Sequence, residues 1–314
     1  MPDTQQSVNS SPKLSSFLAP QYWPTWIGLG LLRASSMLPY RLQMWLGRQL
    51  GHLSYYLMPK RRHIVKTNIR LCFPDMHTKQ QQKYVKEAFA SVGMSVFEIG
   101  LSWWGSNKTL MQLHKPSGME HLDNALAKNH GVIILASHFT TLEIGGTFLA
   151  KHTNLLNIVY KRTHNPLFQW FVHHKRSANN AKLIKHTRVR DMIRALKKGE
   201  IIWYSPDQDF GEKDSVFAPF MGVETCTLTS TQRLAKITGA PVVPFYVERL
   251  ANNNGYAFHF SPAIKNFPSG DDIADSTAIN QAIEQQIKET PAQYLWGHRR
   301  FKTRPPEQPD VYHK

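Results

Sequence analysis

Residues 131–146 read GVIILASHFTTLEIGG. Val132 to Ala136 is an unbroken apolar run, the pattern of a strand buried on both faces. After Ser137 and His138 the pattern turns helical and carries Glu143. Five residues of helix turn about 500°, roughly 140° past a full turn, so His138 and Glu143 would not share a face if both were helical. The spacing therefore predicts His138 on a strand-to-helix elbow and Glu143 one turn inside the helix. There the carboxylate would accept from one imidazole nitrogen, fix the tautomer and leave the other nitrogen free as a base. The carboxyl end of a strand at a helix entrance is also where open α/β folds bind ligands.

The segments downstream repeat this character. Leu155 to Tyr160, Ile201 to Tyr204 and Val242 to Val247 read as further buried strands. Between them, Val189, Met192, Ile193 and Leu196 follow helical spacing up to a stop at Gly199, and Thr229 to Thr238 reads as a helix ended by Gly239 and Pro241. Tyr256 to Phe260 is a candidate antiparallel partner strand, and Ile279, Ala282, Ile283 and Ile287 mark a last helix. Alternating strands and helices predict an α/β fold for residues 116–314, with a mostly parallel or mixed central sheet flanked by helices.

Upstream, residues 21–115 read as helical and membrane-associating, after a polar tail at 1–20 expected to be disordered. Trp23 to Leu38 is apolar but short and interrupted by Arg33, whereas a spanning helix needs about 20 apolar residues. Tyr22, Trp23 and Trp26 are interface-type residues, and Lys60-Arg61-Arg62 would suit anionic headgroups. Leu42 to Leu57 and Arg61 to Leu71 continue as helices. Thr78-Lys79-Gln80-Gln81 has the form of a capping box, opening a helix that reaches Trp103-Trp104.

The formal net charge of +16 over 314 residues implies anionic partners. Two cysteines, Cys72 and Cys226, with no Cys-x-x-Cys or His/Cys cluster, suggest neither a disulfide scaffold nor structural zinc. No Gly-x-Ser-x-Gly elbow, HExxH motif, Walker A loop or GxGxxG is present, and no helix-turn-helix or RNA-binding signature points to nucleic acid.

Three further stretches carry chemistry. Val159 to Arg176, VYKRTHNPLFQWFVHHKR, mixes aromatics with Lys161, Arg162, Lys175 and Arg176, suited to a phosphate or to pairing with acids. Ser205-Pro206-Asp207-Gln208-Asp209 sets two acids at a strand end; with cations in excess, pairing of an acid with a site arginine is preferred over a metal. Tyr294 to Pro305, YLWGHRRFKTRP, interleaves cations, Arg299 and Arg300 among them, with Trp296 and Phe301.

In this order, ASHFTTLEIGG, VYKRTHNPL, ALKKGEIIWYSPDQDFG, SVFAPF and WGHRRFKTRP resemble the late acyltransferases of lipid A biosynthesis, within the wider lysophospholipid-type superfamily known for His-x4-Asp/Glu. The resemblance covers nearly the whole chain. It implies His138 as catalytic base, Glu143 as its acidic partner, Arg176 as an essential arginine and Asp207 as the acid of the Pro-Asp-x-Asp stretch. Where the family has Tyr-Arg-Pro, this chain has Tyr160-Lys161-Arg162, so either Lys161 acts as a point charge or Arg162 substitutes. The implied reaction moves an acyl group, lauroyl by family frequency, from acyl carrier protein to a hydroxyl of a phosphorylated glycolipid. It needs neither metal nor cofactor, with backbone amides or a cation steadying the oxyanion. The implied location is the cytoplasmic face of a bacterial inner membrane. A glycerolipid acyltransferase with the same chemistry is the nearest alternative.

Overall fold

The computed structural model describes residues 14–313. Most of the expected tail, residues 1–13, lies outside the described residues. From Leu14 the chain is folded: Leu14–Phe17 forms a 3-10 turn and Phe17 is buried, so the folded part starts before residue 20.

Five helices come first: α1 (Trp23–Ser35), α2 (Tyr40–Leu57), α3 (Pro59–Cys72), α4 (Thr78–Trp104) and α5 (Asn107–Leu113). Helix α1 has 13 residues, about 20 Å at the usual ~1.5 Å per residue, against a hydrocarbon thickness of about 30 Å. No helix among the described residues is long and apolar enough to cross a membrane. Helices α2 and α4 approach backbone to backbone, because Gly47 and Gly51 face Gly93: a Cβ on Gly93 would lie 2.1 Å from the Gly47 carbonyl oxygen. The capping box does not form. His77, not Thr78, is the N-cap and makes no side-chain cap; the Gln81 amide donates to the Phe73 carbonyl (2.8 Å), since the turn at Phe73–Met76 folds back within reach.

The second part alternates: β1 (His114–Ser117), α6 (Met119–Leu126), β2 (Val132–Leu135), α7 (Leu142–His152), β3 (Leu156–Tyr160), α8 (Pro166–Ala178), β4 (Lys182–Lys185), α9 (Val189–Lys197) and β5 (Ile201–Tyr204). There follow β6 (Ser215–Phe220), β7 (Val223–Leu228), α10 (Ser230–Thr238), β8 (Val242–Arg249), β9 (Tyr256–Phe260) and α11 (Asp272–Glu289). Seven strands form one sheet in the order β1-β9-β8-β2-β5-β3-β4, parallel throughout except where β9 meets β8. The antiparallel pairing of Tyr256–Phe260 agrees with its sequence pattern. Strands β6 and β7 form a separate hairpin.

Strand β2 lies between β8 and β5, and Val132, Ile133, Ile134 and Leu135 are all fully buried. Their side chains divide between two cores: Ile133 and Leu135 pack with α9, α10, α11 and α3, while Val132 and Ile134 pack with α6 and α7. That burial on both faces is why the strand is apolar without alternation. Helix α7 sits tight on the sheet at Gly145, where a Cβ would come within 2.9 Å of the Val247 side chain and 3.0 Å of Trp203.

Candidate active site

His138 occupies the elbow between β2 and α7, its side chain 29% exposed. The elbow is tied down on several sides. Leu295 N donates to the His138 carbonyl (2.8 Å), Thr140 N to the Gln293 carbonyl (2.8 Å), and Thr141 Oγ1 to the Val247 carbonyl (2.6 Å). Beneath it lies a fully buried ion pair. Arg249, at the end of β8, donates through Nε and Nη2 to Glu98 of α4 (2.5 and 2.7 Å) and through Nη1 to Ser91 (2.8 Å), whose hydroxyl meets that of Thr140 (2.7 Å). Removing one member of such a pair typically costs about 3–5 kcal/mol, since it strands a buried charge. The elbow is therefore anchored to two distant elements.

The partner of His138 is not the residue expected. Nδ1 lies 2.6 Å from Asp207 Oδ1, and the His138 backbone N–H donates to Asp207 Oδ2 at 2.8 Å. Glu143 instead accepts from Arg176 (Nη2 to Oε2, 2.7 Å; Nε to Oε1, 3.3 Å) and from Trp103 Nε1 (2.8 Å). Two expectations are thus corrected together: Glu143 does not orient His138, and Asp207, expected to pair with a site arginine, pairs with His138 while Arg176 pairs with Glu143. The reason is topological. Asp207 follows β5, hydrogen-bonded beside β2, so it reaches the elbow directly. Glu143 lies inside α7, beyond the elbow, and its carboxylate meets the end of α4 and the last turn of α8, where Trp103 and Arg176 lie.

The electrostatics follow this pairing. Burial pushes the His138 pKa down, but the Asp207 carboxylate outweighs it through charge and hydrogen bonding, and the net shift is upward. Burial pushes Asp207 up; His138, its two hydrogen bonds and Arg300 pull it down to about 2. Burial also opposes ionisation of Glu143, and Arg176 with Trp103 overcomes it, so Glu143 is held below the usual carboxylate range. At neutral pH the site therefore holds two ionised carboxylates. With Nδ1–H donated to Asp207, the Nε2 of neutral His138 keeps its lone pair.

The remaining sequence candidates separate. Lys161 and Arg162 are exposed beyond the end of β3, and Lys161 Nζ stands 5.3 Å from the Phe210 ring centre. Asp209 is buried and spent on the loop: it accepts from Thr303 N (2.8 Å), Thr303 Oγ1 (2.9 Å) and Gly211 N (2.9 Å). Arg300, one of the cations of the 294–305 run, is not free for a ligand: it is buried and donates to the Cys226 carbonyl (2.7 Å) and Thr227 Oγ1 (3.1 Å), because the hairpin β6–β7 folds over it. Arg299 is exposed over the Tyr312 ring. Two members of the basic run at 60–62 are also engaged internally: Arg61 donates to the Gly297 carbonyl (2.6 Å) and Arg62 to the Tyr55 carbonyl (3.0 Å).

Sequence reasoning passed over Trp103, Gln293 and His298. Trp103 carried a signal as half of an aromatic pair at a helix end; no local spacing links Gln293 or His298 to residue 138. Behind the Glu143–Arg176 pair lies a small, mostly apolar cavity of about 10 Å³, bounded by Leu142, Gly146, Ala150, Ile158, Ala181 and Trp203. Among the described residues, no three His, Cys, Asp or Glu side chains gather as a metal cluster.

Residues 11–303 match the family model described as bacterial lipid A biosynthesis acyltransferase. The chain is 37% identical over 307 residues to the lipid A biosynthesis lauroyltransferase of Escherichia coli (strain K12), covering 97% of this chain and 100% of that protein. It is 35% identical over 297 residues to the lipid A biosynthesis palmitoleoyltransferase of the same strain, covering 94% of this chain and 96% of that protein. To the myristoyltransferase of that strain it is 24% identical over 299 residues, covering 95% of this chain and 92% of that protein.

Proposed function

The chain belongs to the bacterial lipid A biosynthesis acyltransferase family, and from that membership and the geometry around His138 we propose that it moves a fatty acyl chain from the thioester of acyl carrier protein to a hydroxyl of a lipid A precursor. His138 is the general base and Asp207 its orienting partner. The observation that carries this reading is the 2.6 Å contact from His138 Nδ1 to a fully buried carboxylate, which leaves Nε2 as the basic nitrogen. Nε2 takes the proton of the acceptor hydroxyl as its oxygen attacks the thioester carbonyl. Asp207 stabilises the imidazolium that forms, and the departing thiolate takes the proton back. General-base assistance of this kind is worth about 10²–10⁴-fold.

Glu143 and Arg176 form a charge-neutral pair at the mouth of the small apolar cavity. Gly146 opens that cavity, since a Cβ there would meet only Ile158, at 3.7 Å. No metal or cofactor is needed for this sequence of steps. Lauroyl is the chain favoured by the 37% identity to a lauroyltransferase.

On this reading the enzyme works at the cytoplasmic leaflet of the inner membrane. On α1, Trp23, Ile27 and Leu31 recur every four residues and are 58%, 64% and 67% exposed, an unpartnered stripe. Trp45, Leu53, Tyr56 and Leu57 extend an apolar surface along α2. Such a surface suits an interfacial helix with aromatic anchors. The net charge of +16 serves the lipid phosphates, the anionic leaflet and the acidic carrier alike.

The deciding assay offers purified enzyme a panel of acyl carrier protein thioesters and a lipid A precursor, with products read by mass. The expected result is one added ester-linked acyl chain, absent for His138→Ala. Acylation of a lysoglycerolipid instead, or a His138→Ala variant near wild-type rate, would reject the assignment.

A further inference from the structure

The amides of the elbow are largely spent within the protein. His138 N donates to Asp207, Phe139 N to the Ser137 carbonyl, Thr140 N to the Gln293 carbonyl and Leu142 N to the Phe139 carbonyl. Arg176 is held bidentate by Glu143, and Arg300 is buried against the hairpin. A tetrahedral oxyanion beside His138 needs a donor from elsewhere.

His298 is the candidate for that donor. Three residues before it, Leu295 N donates to the His138 carbonyl, so the chain that carries His298 is stitched to the elbow. Asn68 Nδ2 donates to the His298 carbonyl (2.7 Å), which fixes its backbone from α3. Its ring is fixed at the other end, because Asp209 N donates to Nε2 at 3.1 Å. A nitrogen that accepts an N–H carries no proton, so the proton of the neutral ring is on Nδ1. Protonating Nε2 would set two donors face to face, and the contact itself keeps the ring neutral. Among the described residues Nδ1 has no protein partner, and it is not sealed from solvent.

We infer that His298, held as the neutral Nδ1–H tautomer by the Asp209 amide, is a second catalytic residue whose Nδ1–H binds the thioester oxygen as it becomes the oxyanion. The inference rests on the acyl-transfer reading above. As the acceptor oxygen bonds to the carbonyl carbon and its proton passes to His138 Nε2, the carbonyl π pair moves onto oxygen and is met by the His298 hydrogen bond. The pair returns as the carbon–sulfur bond breaks, and the thiolate takes the proton from His138. His298 donates throughout and changes no charge. Burial, with the positive charges of His138 and Arg300, takes its pKa to about 4 against the pull of Asp207 and Asp209, which keeps the ring neutral at working pH. A neutral imidazole is a competent electrophile of this kind when its charged form is disfavoured.

The test compares His298→Asn, His298→Gln and His298→Ala with wild type and His138→Ala, reading kcat, KM and melting temperature. An Asn amide nitrogen stands near the place of Nδ1, and a Gln amide oxygen near that of Nε2. His298→Ala and His298→Gln should lose about 10²–10³-fold in kcat, with KM changed far less, while His298→Asn recovers most of it. His298→Gln, which still accepts from Asp209, should melt close to wild type. A purely structural histidine gives the reverse order, with Gln rescuing rate and Asn not, and that order would overturn the inference. An active wild type and a dead His138→Ala beside a His298→Ala at wild-type kcat would overturn it alone. A wild type with no acyl transfer would overturn it together with the acyl-transfer reading.

Discussion

Replacing Asp207 by Asn separates the two carboxylates that the sequence motif could not rank. The change keeps the shape and removes one charge. Asp207 accepts twice from His138, at Nδ1 (2.6 Å) and at the backbone N–H (2.8 Å), and Asn has one acceptor oxygen for those two donors. If the Asn oxygen takes the backbone N–H, its NH2 faces Nδ1. The imidazole must then carry its proton on Nε2, and the basic lone pair is lost from the reacting side. If the oxygen takes Nδ1–H, the buried His138 N–H faces an NH2, at a cost of about 1–3 kcal/mol for an unsatisfied buried donor. Either arrangement should lower kcat by on the order of 10²–10⁴-fold.

Two further signatures go with the rate. Asp207 is the group that raises the His138 pKa, against the effect of burial. In Asp207→Asn burial acts unopposed, the pKa falls, and the acid limb of the kcat–pH profile moves to lower pH. Stability changes as well. A carboxylate lowered from 3.8 to about 2 contributes about 2–3 kcal/mol that is fully present above its unfolded pKa and lost as pH falls toward 2. The variant should lose that acid-dependent part of its melting curve. The assay is thioester consumption by purified enzyme across pH 5 to 9, with thermal melts carried down to pH 2. Glu143→Gln is the control: it leaves Arg176 unpaired and should lower activity without moving the acid limb. An acid limb that moves in Glu143→Gln but stays in Asp207→Asn would refute the reasoning and return Glu143 to the role of histidine partner.

Two other perturbations test the surroundings of the site. Gly146→Ala adds a Cβ that meets only Ile158, at 3.7 Å, and removes a helix-interior glycine, so the protein should melt at or slightly above wild type, by about 0.5–1 kcal/mol; a clearly lower melt would refute the packing of α7 on the sheet. The triple change Trp23→Ser, Ile27→Ser and Leu31→Ser alters residues that are mostly exposed, so folding should survive. Flotation with vesicles containing anionic lipid should fall at least tenfold, and undiminished flotation would remove α1 from the membrane face.

Legibility from sequence followed the range of the interactions. Val132 to Leu135 announces a central strand because every side chain must be apolar when both faces are covered, and Tyr256–Phe260 alternates because its environment differs on its two faces. Short edge elements such as β4, reading KLIK with Lys182 and Lys185 exposed, lack that pattern and leave no such signal. The capping box at Thr78 was a valid local device that lost to a tertiary one, since the Gln81 amide finds the Phe73 carbonyl.

By itself the sequence determined the alternation of elements, the elbow at His138 and the two carboxylates and arginine nearest it, because hydrophobic period and strand-end chemistry are local properties of the chain. Which carboxylate meets which cation was decided only by the tertiary structure. Asp207 lies 69 residues from His138 and reaches it because β5 pairs with β2; Arg176 lies 33 residues from Glu143 and reaches it because the last turn of α8 ends beside α7. Charge pairing acts over a few ångströms of space, and the distance along the chain does not enter it.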